Sequence, residues 1–202
     1  MKLTNKKTYL VVRAILQKKK FKQYQIGKEE KVSLHLVNNL VKWLISLGYV
    51  ARRNGNLTKQ EDTGKRRGYY ELVSAGAIFN LFLLNRQLKP IASFNVEPSA
   101  VEVMKMLEDK AALCLTSALS HYSDYYRDPA IYAYALDKTL LNDLKDLPEG
   151  KTRIEIFEED LNGEDFVTKK DVRLTNKIRT IIDLYCANKA YAAEWLVRRE
   201  FL

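Results

Sequence analysis

The sequence predicts an α+β protein, with a winged helix-turn-helix domain over residues 1–88 and a smaller-sheet α/β domain over residues 98–202. Three observations predict it. Helical patterns precede two strand patterns split by a basic, glycine-punctuated stretch. Beyond residue 98, strand and helix patterns interleave. The charge also changes sign, because residues 1–90 carry 19 Lys and Arg against 5 Asp and Glu, while residues 91–202 carry 15 against 20. That asymmetry points to a basic domain facing a polyanion, joined to a domain with a different task.

In chain order, Thr4 is a suitable cap for a first helix reaching about Lys19, with Val11, Val12, Ile15 and Leu16 as its apolar stripe. Lys6, Arg13 and Lys20, seven apart, fall near one face of it. "QYQIGKEEK" gives a short helical turn. In "VSLHLVNNLVKWLISLGYV", Ser33 is the expected N-cap and Gly48 the C-terminal stop. Val37, Leu40, Val41 and Leu44 recur at helical spacing, with Leu36, Trp43 and Leu47 widening the apolar face. The opposite stripe is His35, Asn38, Asn39, Lys42 and Ser46, and it contains no acid. Asn suits bidentate contact with adenine, and His and Ser reach base edges or phosphates. Ser33, His35, Asn38, Asn39 and Lys42 are therefore the expected DNA-reading set.

"GYVARR" and "GYYELV" read as strands, and the polar "LTKQEDTGKRR" between them is too long for a tight hairpin turn. This order of elements puts a third helix in the major groove and a basic loop on the DNA backbone. Arg52, Arg53, Lys59, Lys65, Arg66 and Arg67 are the expected wing cations, giving affinity without sequence preference. Ser74 caps a very apolar helix, "AGAIFNLFLLNRQ", which must pack on the first domain, on the second half or on a second copy. A homodimer is the expected form if the target is palindromic.

"LKPIASFNVEPS", with two prolines, marks the expected boundary. Beyond it, "SAVEVMKMLEDKAALCLTSALSHY" reads as one or two helices, "PAIYAYAL" as a buried strand and "TLLNDLKDL" as a short helix. "RIEIFEED" and "FVTKKDVRLT" each read as a strand, and Thr175 caps "NKIRTIIDLYCAN" before a final helix, "AYAAEWLVRRE". No glycine-rich phosphate loop and no nucleotidyltransferase Asp-x-Asp start are present, so no catalytic residue and no cofactor is expected. Glu158, Glu159, Asp160, Glu164 and Asp165 read as a solvated acidic loop that lacks an EF-hand pattern, and no metal is expected. Cys114 and Cys186 read as buried thiols, with a disulfide as the alternative. The longest apolar run covers about half a bilayer. The N-terminus lacks a signal-peptide core, so a cytoplasmic protein without membrane contact is expected.

Residues 110–200 resemble the end of the AbiEi-family antitoxins, winged-helix regulators of type IV toxin–antitoxin pairs. Thr175, Thr180, Asp183, Leu184, Ala192, Ala193 and Leu196 carry the likeness, and "LTSALSHY" and "IYAYAL" fit its upstream part. Where relatives often have a glycine-arginine element, this chain has Ala187-Asn188-Lys189. The resemblance implies binding of the first domain to its own promoter. It also implies a second domain that opposes a nucleotidyltransferase toxin, without requiring a stable complex with that toxin.

Overall fold

The computed structural model describes residues 2–54, 68–161 and 165–201. It divides into two compact units, Met1–Asn85 and Arg86–Leu202, and is α+β. No helix among the described residues is long and apolar enough to cross a membrane.

The first unit opens with α1 (Lys6–Lys18), β1 (Lys20–Phe21), α2 (Gln23–Glu29) and α3 (Leu34–Ser46). β2 (Val50–Arg53), β3 (Tyr69–Leu72) and α4 (Ala75–Asn85) complete it. The strands form one antiparallel sheet in the order β1-β3-β2. Asn5, not Thr4, caps α1, accepting from the Lys7 amide. Lys20 therefore lies on a strand beyond that helix. Ser33 caps α3 as expected, and Gly48 follows it at φ +76°, a left-handed conformation costly for any residue with a Cβ. Gly68 is required for a different reason. A Cβ there would stand 2.8 Å from the Arg53 carbonyl oxygen, where β3 enters its ladder with β2. The core is Tyr9, Val12, Ile15, Phe21, Leu40 and Leu44, each fully buried. The apolar α4 packs within this unit, with Phe82 edge-on to Tyr9 at 6.0 Å.

The second unit contains β4 (Ala92–Val96), α5 (Ala100–Leu107), β5 (Ala111–Leu113), α6 (Leu115–Leu119) and β6 (Ile131–Ala135). α7 (Leu140–Lys145), β7 (Thr152–Phe157), β8 (Phe166–Lys169), β9 (Val172–Thr175), α8 (Lys177–Cys186) and α9 (Ala190–Phe201) follow. Its mixed sheet runs β4-β7-β6-β5-β9-β8, with β6–β7 and β5–β9 parallel and the other pairs antiparallel. Val103, Leu107, Leu113, Ala133, Ile154 and Leu174 belong to its core cluster.

Five sequence expectations need correction here. Among the described residues the second sheet, expected to be the smaller, has six strands against three in the first. The proline-flanked boundary stretch contains β4, which pairs with β7 along its whole length. The helical stretch after residue 98 is interrupted by β5, whose short Ala-Ala-Leu sequence is held between β6 and β9. The single strand at "FVTKKDVRLT" is a hairpin that turns at Lys170 and Asp171, both at positive φ. Thr175 ends β9, and Asn176 is the cap of α8.

Candidate nucleic-acid interface

α3 is held by one face. Val37, Leu40, Val41 and Leu44 are buried, each stabilising by about 1.5–3 kcal/mol. Ser33 accepts from the Leu36 amide, a cap contributing about 1 kcal/mol, so its oxygen is engaged in holding the helix start. His35, Asn39 and Lys42 stand exposed on the opposite side. The Asn39 amide nitrogen lies 2.9 Å from His35 Nε2. An amide NH2 only donates, so in this pair Nε2 accepts and the ring hydrogen sits on Nδ1. The pair leaves Asn39 Oδ1 as an acceptor and the His35 Nδ1–H as a donor. Asn38 differs. Its Oδ1 is buried with no hydrogen-bond partner among the described residues, so Asn39 holds the open amide. The Ser46 hydroxyl donates to the Trp43 carbonyl at 2.8 Å and is engaged there.

The charge around α3 follows from where the acids go. Glu29 pairs with Lys18 at 2.9 Å, and Glu30 pairs with Arg13 at 2.9 Å. Glu71 accepts from Arg53 at 2.7 Å and lies 3.3 Å from Lys20. Those two hydrogen bonds, Arg53's first, lower the Glu71 pKa. Every described acid of the first unit is thus matched by a cation already, and the excess positive charge is left without internal compensation. Arg13 and Lys20 are drawn into these pairs and do not join Lys6 in one basic face. Arg52 is exposed on β2 and forms no ion pair with a described residue, whereas Arg53 is tied to Glu71. Lys59, Lys65, Arg66 and Arg67 lie outside the described residues.

The second unit treats charge in the opposite way, and the sequence reading missed it. Arg86 grips Asp160 with two parallel hydrogen bonds, Nε to Oδ2 and Nη2 to Oδ1, both 2.7 Å. Its Nη1 donates to Asp183 Oδ1 at 2.7 Å and its Nη2 to the Tyr134 hydroxyl at 2.9 Å. Arg179 approaches the same atoms from α8, with Nε to Asp183 at 2.9 Å and Nη2 to Tyr134 at 3.0 Å. Its guanidinium lies over the Tyr134 ring and also reaches Glu159. Arg86, Arg179, Tyr134 and Asp183 are all buried. Burial alone would lower the Arg86 pKa, but Asp183, Tyr134 and Asp160 outweigh it and raise it. The acidic loop is therefore not simply solvated. Glu159 and Asp160 cover two buried arginines, and Asp165 is itself fully buried.

The signal was present in "IRTIIDL": Arg179 and Asp183, four apart, sit among residues that α8 buries. Thr175 and Thr180 meet at 2.8 Å between their hydroxyls, and Leu184, Ala192, Ala193 and Leu196 are buried in the same unit. Cys114 and Cys186 are free and buried. Burial raises both thiol pKa values, that of Cys186 to about 11, so neither is a ready thiolate at neutral pH.

No family model matches the chain, and neither the curated proteins nor the solved structures compared with it give a match.

Proposed function

We propose that the first unit is a sequence-specific binder of double-stranded DNA and that the protein is a cytoplasmic transcriptional regulator acting on its own promoter. One observation carries this reading. The exposed face of α3 presents His35, Asn39 and Lys42 with no acid, in a unit whose described acids are all ion-paired. The order of three helices and a β1-β3-β2 sheet, with a long connection between β2 and β3, supports a winged helix-turn-helix. α3 enters the major groove, where Asn39 and His35 read base edges and Lys42 meets a phosphate. Arg52, with Lys59, Lys65, Arg66 and Arg67 of the β2–β3 connection, holds the backbone. If the target site is palindromic, the protein binds it as a homodimer.

Selection of duplexes from a random pool by the purified protein tests the proposal. A recurrent motif is expected, with affinity falling steeply as salt rises. Changing Lys65, Arg66 and Arg67 together to Ala should weaken binding to all duplexes alike. Recovery of no motif, with binding indifferent to salt, would sink it.

The second reading rests on the resemblance at Thr175 to Leu196. It makes the second unit an antitoxin that opposes a nucleotidyltransferase toxin, with DNA binding serving only autoregulation. Co-expressing the full chain with an adjacent nucleotidyltransferase-type gene tests it. Restored growth supports this reading, and unrelieved toxicity removes it.

A further inference from the structure

We infer that His35 is a positioning residue, which holds the Asn39 amide so that Asn39 reads adenine and rejects guanine. This role rests on the reading of α3 as the helix that enters the major groove, and it names the base that helix selects.

His35 and Asn39 are both exposed and lie at i, i+4 on α3, so one stands about 6 Å above the other along the helix axis. Both belong to the first half of a helix that runs Leu34–Ser46, and the N-terminal residues of a recognition helix are those that contact base edges. The neighbouring amide does not compete. Asn38 Oδ1 is buried, so that side chain does not present an oxygen and an N–H together to a base.

An amide free to turn about its last bond is an ambiguous reader. It can offer its oxygen and one N–H side by side, which matches the N6–H and N7 of adenine. It can also turn its NH2 end-on and give a hydrogen to each of guanine's two acceptors, N7 and O6. The 2.9 Å contact with His35 removes the second choice. One Nδ2 hydrogen is given to His35 Nε2, which leaves Asn39 one hydrogen and its Oδ1. One donor beside one acceptor is the complement of adenine. Against guanine, Oδ1 would face another lone pair with nothing to accept. A hydrogen bond between exposed side chains is weak in water, but it strengthens where a duplex displaces that water. The hold is therefore firmest in the bound state, where the choice of base is made.

Anisotropy titrations of the full chain on the selected duplexes test this role. The reporting position is the base pair at which Asn39→Ala loses its preference. There the parent should favour adenine over guanine about tenfold or more. His35→Phe keeps a ring and removes the acceptor, and should bring that preference within about twofold. His35→Gln restores an acceptor at the same helical spacing and should keep the preference. Adding His35→Phe to Asn39→Ala should change nothing further at that position, which separates positioning from direct base contact by the imidazole. Because both side chains are exposed, every variant should melt close to the parent. Three results would overturn the role: a parent that favours guanine or ranks the two bases equally, His35→Phe ranking them as the parent does, or His35→Gln losing the preference. A motif whose preferences ignore Asn39 also removes it while leaving DNA binding in place. A pool that yields no motif removes the reading of α3 itself, and this role with it.

Discussion

Arg52 and Arg179 are the same residue type put to opposite uses. Among the described residues, the first unit keeps most of its cations at the surface, in excess of acids that are already paired. The second buries two arginines and surrounds them with Asp183, Asp160, Glu159 and a tyrosine hydroxyl. Surface charge in high dielectric contributes little to folding, so unmatched cations are free to serve a polyanionic partner. Buried charge tolerates no such freedom, since each ion must be matched where it stands. Changes to charge in the first unit should therefore be felt in binding, and in the second unit in folding.

The largest expected effect tests the buried side. Asp183→Ala leaves two arginines without their shared carboxylate, and urea unfolding should show a loss of about 3–5 kcal/mol. A loss below about 1 kcal/mol would break the contrast, placing the network among ordinary surface pairs.

Acid titration comes next. Burial would raise the pKa of Asp160 and Asp128, but the hydrogen bonds from Arg86 and Lys189 outweigh it and lower both from the ordinary 3.8. A depressed folded pKa stabilises above the unfolded value and is lost as pH falls through the folded one. The urea midpoint of the second unit should hold down to about pH 4 and drop below it. Glu71 is lowered too, but it is only half-buried at the surface and its contribution is screened. A midpoint unchanged at pH 3 would contradict the assigned pairs.

Two smaller effects belong to the first unit. Asn39→Ala should cost about 1–3 kcal/mol of affinity for a selected duplex, flatten preference between sequences and leave the unfolding midpoint nearly unmoved. Fluorescence anisotropy with a selected and a scrambled duplex separates these outcomes. Arg52→Ala should weaken all duplexes alike and reduce the salt slope by about 0.9, one phosphate contact. Discrimination lost with Arg52 would move base reading from α3 to the strand.

What was legible in the sequence divides along the same line. α3 could be read from period, cap and stop, because Ser33, the apolar spacing and Gly48 are all local signals. β2 and β3 were equally plain. β5 was hidden, because Ala-Ala-Leu favours a helix on its own and becomes a strand only between β6 and β9. The β8–β9 hairpin was hidden because its turn uses Lys170 and Asp171, where glycine or asparagine would have announced it. In the candidate interface, the stripe of polar residues was visible in the period. The burial of the Asn38 oxygen and the capture of Arg53 by Glu71 depend on contacts that spacing does not encode. The buried network lay furthest from view, since Arg86 and Asp183 are 97 positions apart.

Arg86 follows α4 directly, and this decides where the chain can be divided. A fragment beginning at residue 98, where the prolines invite a cut, would lose the guanidinium that covers Asp183 and Asp160. It would also lose β4, exposing the β7 edge to pairing with other chains. A fragment beginning at Arg86 keeps both. Recombination that transplanted the second unit onto a different N-terminal unit would therefore have to carry this arginine along, which makes it the first residue of a transferable module.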